Sequence, residues 1–178
     1  PQSPYAVAKA SAHWLVANYR QAYNLFCCTG ILFNHESPLR PKRFVTRKII
    51  STACKIAEGT EDKLELGNIS IARDWGWAPE YVEAMWLMLQ RSIPADFVVA
   101  TGRTRKLEDF ISLAFSRVGL DWRDHVTTDS SLLRPLDIVE GLADPAEAQN
   151  ELGWKAKFGL EEIVKMMIDA ELKNHEPL

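Results

Sequence analysis

The chain has 178 residues, 47% of them hydrophobic and 25% charged, and its 24 acidic against 21 basic side chains leave a formal net charge of -3. That composition is expected of an ordinary globular protein of one or two domains and excludes a disordered tail; the lack of a basic excess argues against nucleic acid as a partner. No apolar run approaches the ~18 residues of a membrane helix, and three cysteines, two of them adjacent at Cys27 and Cys28, make no disulfide framework, so a cytoplasmic location without a membrane partner is expected.

The chain opens Pro1-Gln2-Ser3-Pro4-Tyr5, without a methionine, a charged start or an apolar leader, and reads as a fragment. Ser3 before Pro4 is a strong helix opening, so a helix is predicted over Pro4–Tyr23, with Val7, Ala8, Trp14, Leu15 and Tyr19 at helical spacing and Asn24 as a left-handed stop. Residues 25–33 are nearly all apolar and read as a buried strand that runs into a polar loop, Asn34-His35-Glu36-Ser37-Pro38. In open α/β sheets ligands sit at the carboxyl ends of strands, which is where that cluster falls.

An amphipathic helix is predicted over residues 44–58, stopped by Gly59, and a short strand over Leu64–Leu66. Residues 67–78, with Arg73-Asp74-Trp75-Gly76-Trp77, read as a loop. A helix then starts near Pro79 with Val82, Met85, Trp86 and Leu89 as its buried face, and Trp86 and Met85 are assigned to the core. A buried strand follows over residues 97–100, a helix over 107–118 stopped by Gly119, a short helix opened by Asp144-Pro145 and closed by Gly153, and a last helix over 160–172.

Three constellations bear on chemistry. Tyr5 and Lys9, four apart on a helix, share a face, so the ammonium can favour the phenolate and fit the pair for acid/base work; by spacing alone such a pair is a surface contact. Asn34-His35-Glu36-Ser37-Pro38 with Arg40 suits hydrogen bonds to a nucleotide at the end of a parallel strand, or simply caps a surface loop. Lys48, Arg73 and Arg134 could grip a diphosphate if they converge, and are otherwise separate solvated cations. His13, His35, His125 and His175 have no partners at metal-ligand spacing, so no metal site is expected. Cys27 and Cys28 read as packing residues and not nucleophiles.

Ser3-Pro4-Tyr5-Ala6-Val7-Ala8-Lys9 resembles the active-site helix of the extended short-chain dehydrogenase/reductases. Within that group the segments from Gly30 to Pro38, Phe44 to Lys48 and Arg73 to Gly76, with Asp144-Pro145 and Leu152-Gly153-Trp154-Lys155, resemble the GDP-mannose 4,6-dehydratase family, in its C-terminal half. The resemblance implies an α/β fold: the C-terminal part of a Rossmann-like parallel sheet (residues 1–34 and 72–101) interleaved with a smaller α/β nucleotide-sugar-binding domain (residues 35–71 and 102–178). It implies NADP as cofactor and GDP-mannose as substrate, oxidised at C4, dehydrated across C5 and C6 and reduced at C6 to GDP-4-dehydro-6-deoxy-mannose, the precursor of GDP-fucose.

By the same resemblance Tyr5 is the base at the sugar 4-hydroxyl and Lys9 holds the cofactor ribose. His35 and Arg40 contact NADP, Asn34 contacts the nucleotide sugar, and Val45, Lys48, Arg73 and Arg134 bind GDP. Asp137 stands where the family usually has glutamate, so its ligand contact is one methylene short. The family's Thr/Glu pair and glycine-rich fingerprint belong upstream of Pro1, and no G-x-G-x-x-G occurs among the nine glycines; the chain alone is therefore expected to be inactive. A homo-oligomer, tetramer or dimer, is a further implication. A sibling nucleotide-sugar epimerase or reductase, or a noncatalytic nucleotide-sugar-binding fragment, are the alternative readings.

Overall fold

The computed structural model describes residues 1–133 and 138–173. In chain order the elements are α1 (Pro4–Tyr23), β1 (Gly30–Leu32), β2 (Asn34–Glu36), α2 (Val45–Ala57), β3 (Leu64–Leu66), β4 (Ala72–Trp77), α3 (Ala78–Leu89) and β5 (Phe97–Val99). Then come β6 (Thr104–Lys106), α4 (Leu107–Arg117), β7 (Val126–Thr128), α5 (Ala146–Leu152) and α6 (Leu160–Lys173).

The helix ends follow from local chemistry. Ser3 Oγ accepts the Ala6 N–H at 3.1 Å and Pro4 occupies the first turn of α1, while Asn24, at φ 51°, ends it in the left-handed region. Gly153 closes α5 in the same way at φ 66°, and at the start of α5 Asp144 Oδ1 accepts the Ala146 N–H at 2.9 Å.

The strands are shorter and more divided than the apolar pattern predicts. The expected buried strand over residues 25–33 shrinks to β1, and Leu25, Phe26 and Ile31 are exposed. A strand is defined by its neighbour, and within residues 25–33 only β1 has one: it pairs in parallel with β5, Gly30 opposite Phe97. The polar cluster expected to be a loop is instead β2, parallel to β4 with His35 opposite Gly76, and β4 in turn is antiparallel to β6. One extended run, residues 30–36, thus forks between two sheets, with the Phe33 N–H donating to Val99 O at 3.0 Å as it changes partner. β3 pairs in parallel with β7.

The expected loop over residues 67–78 is likewise strand β4 over half of its length. What hides it in the sequence is Asp74, a charged residue in a wholly buried position. Its carboxylate accepts three main-chain N–H groups, from Thr101 at 2.9 Å, Gly102 at 2.7 Å and Arg103 at 3.1 Å. These charge-assisted bonds offset its desolvation and tie the turn after β5 to β4.

Two apolar clusters hold the elements. The larger joins α2, α4 and α6 around Ile49, Phe110, Phe115, Ile163 and Ile168, with Leu64, Leu66 and Trp75 from the strands. Each such fully buried side chain contributes on the order of 1.5–3 kcal/mol. The smaller joins Tyr81, Ala84 and Met88 of α3 to Phe97, Val99, Ala148 and Trp154. The predicted buried face of α3 is therefore overturned: Val82, Met85, Trp86 and Leu89 are exposed, and Tyr81, Ala84 and Met88 are buried. The helix is apolar on two sides, and only one of them has a neighbour among the described residues.

α1 buries no side chain at all. Arg20 at its carboxyl end grips both oxygens of Asp96, each at 2.8 Å, and also donates to Cys27 O at 2.9 Å, while Asp96 Oδ1 accepts the Thr29 N–H at 2.7 Å. No helix among the described residues is long and apolar enough to cross a membrane.

Candidate functional site

Alternation along β2 sends neighbouring side chains to opposite faces. Asn34 and Glu36 face a cavity of about 290 Å³, lined also by Arg40, Val45, Arg73 and Trp75. His35 turns the other way, its ring 4.9 Å from that of Tyr81 and tilted by 32°. Its Nδ1 lies 2.8 Å from Phe33 O, so Nδ1 is the donor of that bond. Gly76 makes room for this stack, because a Cβ there would run into the Tyr81 ring.

Arg40 reaches the cavity by a short turn, its N–H donating to Ser37 O at 3.1 Å. Its guanidinium is held on three sides: Nη1 donates to His35 O at 2.9 Å, Nε lies 3.2 Å from Glu36 Oε2, and the group sits 4.3 Å over the Phe44 ring. Glu36 is wholly buried, and its Oε2 also accepts the Thr46 hydroxyl at 2.7 Å. Burial pushes the Glu36 carboxyl above the usual range, with the Arg40 charge and the Thr46 bond acting in opposition.

The structure thus brings four of the predicted site residues, Asn34, Arg40, Val45 and Arg73, to one cavity. It sets others apart. Lys48 stands one turn further along α2, where its Nζ donates to Glu65 O at 2.6 Å. Arg73 Nη1 donates to Ala72 O at 2.8 Å, so part of its fork is spent on the chain itself. Tyr5 and Lys9 do share a face of α1, with Lys9 Nζ 5.8 Å from the Tyr5 ring centroid, but that face is exposed and does not line the cavity. Arg134 and Asp137 lie outside the described residues.

Sequence reasoning missed Thr46 and Phe44, both at the cavity, and gave Glu36 no role of its own within the polar cluster. Trp75 belongs to the core and to the pocket wall together: only 4% exposed, it packs on Phe110 and lines the cavity. The signal that could have found Glu36 is the alternation Asn34, His35, Glu36, once the segment is taken as a strand. A second cavity on the far side of Trp75, lined by Arg103, Arg105 and Lys155, has about 40 Å³ and suits water and not a nucleotide. Among the described residues no group of His, Cys, Asp and Glu could hold a metal.

A family model described as GDP-mannose 4,6 dehydratase matches residues 1–167. GDP-mannose 4,6 dehydratase 1 of Arabidopsis thaliana is 51% identical over 173 residues, covering 97% of this chain and 48% of its own. GDP-mannose 4,6 dehydratase of Homo sapiens is 42% identical over 190 residues, covering 97% and 51%. The chain spans about half the length of the curated relatives it matches. Among solved structures, RMD from Pseudomonas aeruginosa complexed with NADPH superposes with a TM-score of 0.87 at 20% identity, covering 98% of this chain and 57% of that one. UDP-glucose 4-epimerase of Thermotoga maritima with UDP-glucose gives 0.82 at 23%, covering 99% and 55%. At that identity the likeness establishes the fold: α/β, with part of a Rossmann-like parallel sheet beside a smaller α/β unit.

Proposed function

We propose, from the premise that the chain belongs to the GDP-mannose 4,6 dehydratase family, that it carries the nucleotide-sugar site and half of the catalytic apparatus of an NADP-dependent GDP-mannose 4,6-dehydratase, a hydro-lyase. The observation that supports this most directly is the meeting of Asn34, Arg40, Val45 and Arg73, distant in sequence, on one cavity. Its 290 Å³ sits at the lower edge of the ~300–1,000 Å³ of ligand pockets, enough for part of a nucleotide sugar.

In this reading Arg73 and Arg134 meet the diphosphate, Asn34 the sugar side, Val45 and Lys48 the rest of GDP, and Asp137 a hydroxyl such as that of ribose. Arg40 and His35 meet the cofactor. Arg40 offers a fixed cation in the cavity wall, and His35, on the opposite face of β2, an imidazole held through Nδ1. NADP, when bound, supplies a reversible hydride acceptor, so oxidation at C4 and reduction at C6 leave a net loss of water across C5 and C6. Tyr5 takes the proton of the 4-hydroxyl, and Lys9, on the same helix face, holds the ribose. The elimination needs a second acid/base, and the resemblance implies the family's Glu for that role.

The division into residues 1–34 with 72–101 and 35–71 with 102–178 belongs to the same proposal. So do a cytoplasmic location, a homo-oligomer, dimer or tetramer, and a place ahead of GDP-fucose. The test is GDP-mannose turnover with NADP, followed through the 4-keto product, for the full-length gene product beside the 178-residue chain. Turnover by the full-length protein alone is expected. Inversion at C4 with no loss of water would replace the reading by an epimerase, and binding without turnover by a noncatalytic binder.

A further inference from the structure

We infer that Glu36 is a positioning residue: its buried carboxylate fixes the Arg40 guanidinium at the cavity and joins it to the first turn of α2. The inference rests on the reading above that Arg40 meets the cofactor.

Glu36 ends β2, two residues beyond Asn34, and none of its surface is exposed. One oxygen, Oε2, serves two elements at once, taking the Thr46 hydroxyl at 2.7 Å and facing Arg40 Nε at 3.2 Å. Thr46 lies in the first turn of α2, beside Val45 and two residues before Lys48. A single carboxylate therefore sets the spacing between β2, the turn that carries Arg40, and the start of α2, each of which bears an expected ligand contact. The other oxygen, Oε1, has no hydrogen-bond partner among the described residues.

That imbalance separates positioning from simple support. A carboxyl raised by burial is a net cost when charged, so its contribution to stability is best where it is protonated and declines as pH rises through and above the ordinary 4.5. At neutral pH, removing the charge should leave the fold as stable as before or more so. What it should remove is the electrostatic hold on Arg40, leaving the guanidinium on the His35 carbonyl and the Phe44 ring alone.

The experiment measures NADPH affinity by fluorescence titration, with thermal melting alongside, on the full-length protein and on Glu36→Gln, Arg40→Ala and the double variant. Arg40→Ala is expected to weaken NADPH about tenfold, the loss of one charge-assisted contact. Glu36→Gln is expected to weaken it about fivefold with no fall in melting temperature. The double variant is expected to bind no more weakly than Arg40→Ala, because one residue acts through the other. Additive losses, an unchanged affinity in Glu36→Gln, or a fall in its melting temperature would overturn the positioning role while leaving Arg40 as a cofactor contact. An unchanged affinity in Arg40→Ala would overturn that contact, and the inference with it. Should Glu36→Gln not fold, Glu36→Asp, which keeps the charge but withdraws it by one methylene, is expected to weaken NADPH in the same non-additive way, and additivity there overturns the role equally.

Discussion

Gly76 and Tyr81 share one space: a Cβ on Gly76 would lie 2.6 Å from the Tyr81 hydroxyl and closer still to one ring carbon, Cε2. Tyr81 is fully buried between His35 on one side and the Trp154 ring, edge-on at 5.7 Å and 88°, on the other. Trp154 Nε1 in turn donates to Glu80 O at 2.9 Å. A change at Gly76 therefore reaches His35 through an aromatic stack that has no slack. Gly76→Ala is expected to destabilise by about 1–3 kcal/mol and to weaken cofactor binding, seen as a lower melting temperature and a raised NADPH dissociation constant. Tyr81→Phe, by contrast, removes a hydroxyl that has no hydrogen-bond partner among the described residues, and should be neutral or stabilising by about 1 kcal/mol.

Arg47 and Glu171 form an ion pair in which both side chains are almost fully buried, joining α2 to α6, with Lys42 Nζ at 3.9 Å. Burial pushes the Glu171 carboxyl up, but the hydrogen bonds from Arg47 and Ser51 and the charges of Arg47 and Lys42 outweigh it and hold the group below the ordinary 4.5. An acid held low in the folded state stabilises at pH above its unfolded value, and that contribution disappears as pH falls through the folded one. Arg47→Met takes the guanidinium from a buried carboxylate and leaves it only the Ser51 bond and the more distant Lys42, and is expected to cost about 3–5 kcal/mol at pH 7. Urea unfolding should show the deficit of Glu171→Gln narrowing below pH 4.5, and a deficit independent of pH would refute the assignment.

The three cysteines should separate by reactivity. Cys54 is wholly buried, and burial, with Glu171 and Glu58 nearby, pushes its thiol up to about 11 against a partial offset from Arg47. Cys27 and Cys28 are half-buried. Titration with a thiol reagent at pH 8 in native buffer should label these two and spare Cys54 until denaturant is added; prompt labelling of Cys54 would contradict its burial.

Tyr5→Phe in the full-length protein should lower kcat by about a hundredfold or more, the usual contribution of a positioned acid/base, with little change in melting temperature because the side chain is exposed. Turnover within a few-fold of the parent would remove Tyr5 from the chemistry.

Helix ends were legible in the sequence because their causes are local: Ser3 and Asn24 around α1, Gly153 after α5. Strands were legible in part: β3 and β5 stand where the apolar runs put them, but β4, β6 and β7 owe their existence to partners far along the chain. The same holds for faces. Val82, Met85, Trp86 and Leu89 announce an apolar stripe, but a stripe says what could be covered and not what covers it, and the packed side of α3 is Tyr81, Ala84 and Met88. At the site, residue types pointed to Asn34, Arg40 and Arg73 and the resemblance added Val45, while their convergence needed three dimensions. Glu36 stood out no more than its polar neighbours, because a glutamate in a supposed loop is expected to face water.

Both apolar clusters also carry a consequence for how the protein is made. The larger joins Ile49 to Ile168 and the smaller joins Tyr81 to Trp154, so each is closed by a segment synthesised late. On the ribosome α2 and α3 emerge with their apolar faces bare and wait for α5 and α6 before either can be buried. Such long-range closure is slow and leaves adhesive surface open to other chains. Nascent chains halted before Trp154 should remain protease-sensitive throughout, and protection should arrive abruptly once Ile168 has cleared the exit tunnel.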